Sequence, residues 1–388
     1  TCALPISEMY PKHKLTVRNE MEHVLFYLTD VIYRIVPPFY ESLRHALDSV
    51  WEHASDKPLP KLLHFGSWVG GDMDGNPNVD GGTIRASLEY HRSEIISKYL
   101  PEMRSLSRFL SQSLSEVKVS KAVQDRLAEY TVLLPEEAEK IGIRVRNMPY
   151  RCLLKLMIAR LRSVETGAHG AYVSAKEFRG DLQLIRDSLE ANKGQHAGIF
   201  PLNRLQTRER TFGFHLATLD IRQDSLVHRQ VIGQVLGEDG WLDMDADARS
   251  ERLTELLEAD SLPELPDDAD VTKTIDVFRT IGWGQQHFGR RALGPYIISM
   301  TQGADDVLSV LFLARLGGLV NENGQVPLDI APLLETVDDL KAGEDILGQL
   351  FTNPVYKSHL AERKNRQIIM VGYSDSNKDG GLISARWA

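Results

Sequence analysis

The chain has 388 residues, 42% of them hydrophobic and 26% charged, with 45 Lys and Arg against 54 Asp and Glu and a formal net charge of −9. This balance excludes the clustered basic surplus of a nucleic-acid binder and points to small ligands and a cytoplasmic setting. Two cysteines, Cys2 and Cys152, exclude a disulfide framework or a cysteine zinc site, and no run approaches the ~20 apolar residues needed to span a bilayer.

The length exceeds a typical single-core domain, so two domains or one large, decorated barrel are both open. The start, Thr1-Cys2-Ala3-Leu4-Pro5, has no initiator Met and no basic segment leading into an apolar run, so it does not read as a signal peptide. The last residues, Ser384 to Ala388, read as a helix barely begun, and both ends look cut rather than finished. In chain order, Val24, Leu25, Leu28, Val31, Ile32 and Ile35 follow helical spacing, and Pro37-Pro38 is expected to stop that helix before another begins near Phe39. From Thr83 to about Asn192 the pattern stays helical, with apolar stripes such as Leu153, Leu154, Leu156, Met157 and Leu161 that read as core packing.

Four short apolar runs follow: Phe212 to Ile221, Pro295 to Met300, Leu328 to Leu334, and Gln367 to Tyr373. Polar helix starts come after them: Asp224 or Ser225, Asp305, and Thr336 with Asp339 three residues on as a capping box. Strand, short loop and helix in succession is the signature of parallel βα units. The expectation is therefore a predominantly helical first part, about residues 1–210 with one motif loop at 65–79, and successive βα units over about 211–388. Arg222, Glu335 and the segment Ser374 to Lys378 fall at strand ends, which in a (β/α) barrel converge on one face.

Four segments carry chemistry. In Phe65 to Val79, paired glycines precede Asp72-x-Asp74, a tight turn beside carboxylates. An EF-hand is rejected, since its sixth position is Pro77 where Gly is required and its twelfth is Thr83 where Glu is required. In Phe212 to Gln223, Asp220 and Arg222 are two apart and would share a strand face. Arg222 could bind phosphate or carboxylate, or form a purely structural pair with Asp220; His215, within the apolar run, reads more readily as a core histidine. Glu335 and Asp375 would lie on neighbouring strands, about one sheet spacing apart. Carboxylates that close repel unless they share a proton or a cation, and a hard divalent ion such as Mg²⁺ or Mn²⁺ answers this, with Lys378 adding a second positive charge.

The segments FGSWVGGDMDGNPNV, FGFHLATLDIRQDS, APLLETVDDL and VGYSDSNKDGG, in that order, resemble the central part of the phosphoenolpyruvate carboxylases, and LTVRNEMEHVLFYLTDVIYRIVPPFYESL resembles the region ahead of the first motif. The resemblance spans essentially the whole chain. It implies a helix-rich elaboration of an eight-stranded (β/α) barrel of the TIM type, present here in part. It also implies carboxylation of phosphoenolpyruvate by bicarbonate to oxaloacetate and phosphate, Mg²⁺ or Mn²⁺ as cofactor, a cytoplasmic homotetramer, and no nucleic-acid or membrane partner. Carried over, Glu335 and Asp375 become the metal ligands and Arg222 the cation on the phosphoryl or bicarbonate oxygens. Lys378 becomes a further active-site cation, and Trp68 and Leu333 the walls around the substrate methylene. Met73 departs from the family's usual Arg between the two aspartates, leaving the roles of Asp72 and Asp74 open. The family's His-Pro-Thr catalytic segment and its loop rich in Gly and Arg have no counterpart here, so the chain alone is expected to bind Mn²⁺ weakly and to lack carboxylase activity. The alternatives are a phosphoryl-transferring phosphoenolpyruvate or pyruvate barrel enzyme and a non-catalytic helical homologue.

Overall fold

A computed structural model describes residues 16–51, 59–192, 194 and 196–387. Cys2, the segment Thr1 to Pro5 and Ala388 lie outside the described residues, and Cys152 is buried and free. The chain divides into two compact units. One comprises Thr1–Met21, Gly66–Ser87 and Thr218–Ala388, the other Glu22–Phe65 and Leu88–Ala217. Among the described residues no helix is long and apolar enough to cross a membrane.

The first unit is built on five parallel strands: β1 (Gly66–Ser67), β2 (Thr218–Asp224), β3 (Leu293–Ser299), β4 (Ile330–Leu334) and β5 (Met370–Val371), which neighbour one another in chain order. Helices Ser225–Leu236, Ala304–Leu316, Val337–Thr352 and Ser374–Trp387 follow β2 to β5, and two more, Ala246–Glu258 and Ala269–Phe288, come between β2 and β3. The helix starts are chemically specified. Asp224 caps its helix by accepting the Leu226 N–H at 2.7 Å. Thr336 and Asp339 form the expected reciprocal box, with the Asp339 N–H on Thr336 Oγ1 at 3.0 Å and the Thr336 N–H on Asp339 Oδ2 at 2.9 Å.

Several boundaries move relative to the sequence pattern: β3 begins at Leu293, ahead of Pro295, β4 begins at Ile330 rather than Leu328, and β5 covers only Met370–Val371 of the run Gln367 to Tyr373. Phe212 ends the helix Ile199–Phe212 rather than opening a strand, because Gly213 at φ 55° takes the chain out of it; β2 begins at Thr218, and His215 sits half-buried in the intervening turn. Ala304–Leu316 starts one residue ahead of Asp305, with Gly303 as its N-cap, and both Asp305 and Asp306 are buried in its first turn. Burying two carboxylates is tolerable only with partners. Arg229 holds Asp306 through bonds of 2.9 and 2.8 Å, and Arg249 holds Asp305 at 2.6 Å.

The second unit is helical. Leu153, Leu154, Leu156, Met157 and Leu161 on helix Pro149–Arg162 are fully buried, as their spacing predicts. Asp181, also buried, is held by Arg126 and the hydroxyls of Tyr130 (2.6 Å) and Tyr172 (2.7 Å). The proline expectation is corrected: Tyr33–Val50 is one helix with Pro37 and Pro38 inside it, entered through a π-helical turn, Tyr27–Ile32. A proline at 37 cannot supply the N–H that the Tyr33 carbonyl would ordinarily accept. Arg208 Nε donates to that carbonyl instead, at 3.0 Å, and the helix runs on.

Candidate active site

The site is assembled at the C-terminal ends of the parallel strands, and the first motif is woven into the sheet. After β1 the chain turns sharply: the Trp68 carbonyl accepts the N–H groups of Gly71 (2.9 Å) and Asp72 (3.0 Å), with Gly70 at φ 90°. Gly70 must lack a side chain, since a Cβ there would run into Ser87 Oγ. The strand-like residues beyond it pair with β2, the Arg222 N–H donating to Gly71 O at 3.0 Å and the Met73 N–H to Arg222 O at 2.9 Å, a parallel bridge opposing Asp72 to Arg222.

That bridge sets the side chains. Arg222 Nε donates to Asp72 Oδ1 at 2.8 Å and Nη2 to Oδ2 at 2.7 Å, a bidentate fork on a carboxylate, while Asp74 Oδ2 lies 3.8 Å from Nη2. The guanidinium carbon stands 5.0 Å from the centre of the Trp68 ring, within cation–π range. Asp220, two residues back, is half-buried like Arg222, while Leu219 and Ile221 between and before them are fully buried, so the two do share a face. Arg222 nevertheless pairs with Asp72. Asp220 lies outside that fork, and burial pushes its carboxyl up to about 6.

The register carries this face across the sheet. Arg222 aligns with Ile297 on β3 and Ile297 with Ala331 on β4, so Leu333, two residues on, faces the same way. Leu333 is buried in an apolar cluster with Ile297 and Ala331, flanked by Ile368 and Met370, a different set of neighbours from those of Trp68. Glu335 follows directly after β4. Burial, then the charge of Asp375, then those of Asp74 and Asp339, push the Glu335 carboxyl above its ordinary range, and Arg222 opposes them.

β4 and β5 pair as neighbours, Leu333 with Met370 and Leu334 with Val371. The pairing continues one step further, the Gly372 N–H reaching Leu334 O at 2.8 Å. A Cβ at Gly372 would fall 3.0 Å from Glu335 Cα, so only glycine lets the two strand ends approach this closely. Asp379 Oδ2 accepts the Val337 N–H at 3.0 Å and ties the start of helix Val337–Thr352 to helix Ser374–Trp387. Asp375, in the first turn of helix Ser374–Trp387, bonds Lys378 Nζ at 3.1 Å, and both side chains are largely exposed.

Trp68, Asp72, Asp74, Arg222, Glu335 and Asp375 thus come together, Lys378 attaches through Asp375, and Leu333 shares the face as part of the core. Sequence reasoning missed the Asp72 clamp on Arg222 and the need for Gly372. The spacing within each motif gave no sign of pairings that form only between separate segments of the chain.

No cluster of three or more His, Cys, Asp or Glu able to hold a metal occurs among the described residues. The donor set that is present, Glu335 with the charge of Asp375 disfavouring its own, suits a hard divalent cation that takes its remaining ligands from water or substrate.

The first unit is thus a parallel α/β sheet, in keeping with part of an α/β barrel, with carboxylates and a clamped arginine gathered near its strand ends. Residues 7–388 match the family described as phosphoenolpyruvate carboxylase, and the chain belongs to that family. It is 48% identical over 373 residues to the phosphoenolpyruvate carboxylase of Xanthomonas campestris pv. campestris, covering 96% of this chain and 41% of that protein. It is 34% identical over 403 residues to that of Ralstonia nicotianae, covering 96% and 40%, and 34% identical over 400 residues to that of Gloeobacter violaceus, covering 96% and 42%. The chain thus spans about two-fifths of the length of the curated relatives it matches.

Proposed function

We propose that this chain carries the metal-binding and oxyanion-binding part of a phosphoenolpyruvate carboxylase, within a single domain whose parallel sheet forms part of an eight-stranded (β/α) barrel. The observation that supports the reading is Glu335 directly after β4 and Asp375 at the start of the helix after the adjoining β5, with the charges of Asp375 and of an Arg222 held by Asp72 both acting on Glu335. Glu335 and Asp375 would hold Mg²⁺ or Mn²⁺, which when bound supplies positive charge where negative charge develops.

The chemistry asks this of the remaining residues. A bicarbonate oxygen attacks phosphorus as the bond from phosphorus to the enol oxygen breaks, giving carboxyphosphate and the enolate of pyruvate. Carboxyphosphate releases CO₂ and phosphate, and the methylene carbon of the enolate attacks CO₂ to form oxaloacetate. Arg222, pre-oriented by Asp72, binds phosphoryl or bicarbonate oxygens without reorganising at the moment of reaction. Trp68 and Leu333 form apolar walls about the methylene, keeping protons from the enolate. Lys378 adds a cation at the exposed rim. A cytoplasmic homotetramer is the assembly proposed for the whole protein.

The test is oxaloacetate formation, coupled to malate dehydrogenase, by a full-length protein carrying this sequence. Strict dependence on both bicarbonate and Mn²⁺ or Mg²⁺ is expected, with no activity from the 388-residue chain alone. Phosphate release that needs no bicarbonate would overturn the reading in favour of a phosphoryl-transferring barrel enzyme.

A further inference from the structure

The segments that carry Glu335 and Asp375 are joined to each other on both sides of those carboxylates. Ahead of Glu335, the Leu334 carbonyl accepts the Gly372 N–H at 2.8 Å. Beyond it, the Val337 N–H donates to Asp379 Oδ2 at 3.0 Å. Glu335 falls between Leu334 and Val337 in the chain, and Asp375 between Gly372 and Asp379, so both lie within one ring closed by these two bonds. The first closure is a ladder bond that the sheet supplies. The second rests on one side chain, which the chemistry above does not use.

The ladder alone is a weak anchor. β5 spans only Met370–Val371, at the edge of the sheet, and strands that short hold their place poorly. Helix Ser374–Trp387 buries only Ser376, whose hydroxyl donates to Gly372 of its own segment, and its helical geometry breaks at Gly381, φ 79°. Packing therefore does little to place Asp375. The chain is also trimmed beside Asp379: a Cβ at Gly380 would fall 2.5 Å from Val337 Cγ2. Across the contact, the first N–H groups of a helix have no partner within it, and carboxylates are favoured there. Asp339 takes those of Glu335 at 3.3 Å and Thr336 at 2.9 Å, and Asp379 takes the next, that of Val337.

We propose that Asp379 is a positioning residue for the cation site, closing the ring that fixes the segment of Asp375 relative to that of Glu335. For metal binding the inference rests on the reading of Glu335 and Asp375 as ligands; for the link to Val337 it does not.

Variants of the chain separate the link from the charge, and Asp379 is exposed, so replacing it leaves the core alone. In Asp379→Ala, with no metal present, the Val337 amide is expected to exchange its hydrogen about tenfold faster. Mn²⁺ affinity, followed by electron paramagnetic resonance of the free ion, is expected to fall about tenfold, the scale on which losing the support of a metal ligand acts. Asp379→Asn keeps an acceptor oxygen without the charge and is expected to bind Mn²⁺ within about twofold of the unmutated chain. Gly380→Ala leaves the carboxylate in place but pushes its segment off Val337, and is expected to weaken Mn²⁺ binding as Asp379→Ala does. In the full-length protein, Asp379→Ala is expected to raise the Mn²⁺ concentration for half-maximal rate, with the rate recovered at saturating Mn²⁺. Unaltered Val337 exchange or unaltered Mn²⁺ affinity in Asp379→Ala overturns the proposal, as does an Asp379→Asn variant that loses as much affinity as Asp379→Ala. Absence of Mn²⁺ binding by the unmutated chain would count against the function proposed for the site and leave the exchange result standing.

Discussion

Replacing Asp72 by Ala takes from Arg222 both acceptors of its fork while leaving the sheet pairing of the loop intact, because that pairing is made by the backbones of Gly71, Met73 and Arg222. The two side chains are 19% and 27% exposed, so the pair is neither a surface ion pair nor a fully buried one. Leaving a guanidinium unpaired at that depth costs about 1–3 kcal/mol, below the roughly 3–5 kcal/mol of a fully buried pair. Asp74, 3.8 Å away, recovers part of it. The functional loss is larger, because a reacting group displaced by an ångström costs about 10²-fold in rate. The assay is a double-mutant cycle between Asp72→Ala and Arg222→Ala, read as urea midpoint on the chain and as kcat/KM on the full-length protein. A coupling of about 1–3 kcal/mol is expected in both. Effects that add within about 0.5 kcal/mol would show that Asp72 does not act through Arg222.

Gly372→Ala should force β5 away from Glu335 and weaken Mn²⁺ binding severalfold, so unchanged affinity by equilibrium titration would count against the close approach of the two strand ends. His228, buried with Nε2 2.9 Å from the Tyr296 hydroxyl, has its pKa lowered by burial to about 3, so the unfolded chain takes up that proton first. Its contribution is intact above about pH 6.5 and is lost as pH falls toward 3, by roughly 3 kcal/mol at pH 4. His228→Gln, which does not titrate, should flatten the acid limb of stability against pH; superimposable curves would refute this. Arg229→Met strands Asp306, whose carboxyl burial and the charge of Asp305 push up to about 6. It should cost about 3 kcal/mol at pH 8 and less at pH 5, where Asp306 takes up its proton, and a pH-independent cost would contradict the pairing.

Much of this was legible in the sequence for a physical reason. Cap chemistry is local, so Asp224 and the pair Thr336 and Asp339 could be read from a few residues, and alternation along Thr218 to Arg222 put Asp220 and Arg222 on one face. The illegible part is what depends on distant segments. Pro37 and Pro38 look like a helix stop until Arg208, far along the chain, supplies a donor to the Tyr33 carbonyl that Pro37 leaves without one. The Asp220–Arg222 pair looks natural until the turn after β1 brings Asp72 to the arginine. Phe212 and Gly213 carry strand-like apolar character, yet a single left-handed glycine makes them the end of a helix.

The most direct test of the site is Mn²⁺ binding, followed by electron paramagnetic resonance of the free ion, on the chain and on its Glu335→Gln and Asp375→Asn variants. One ion per chain is expected, bound weakly, with each single substitution lowering affinity at least tenfold and the double variant little worse than either. Binding that survives both substitutions would show that these two carboxylates do not share a cation.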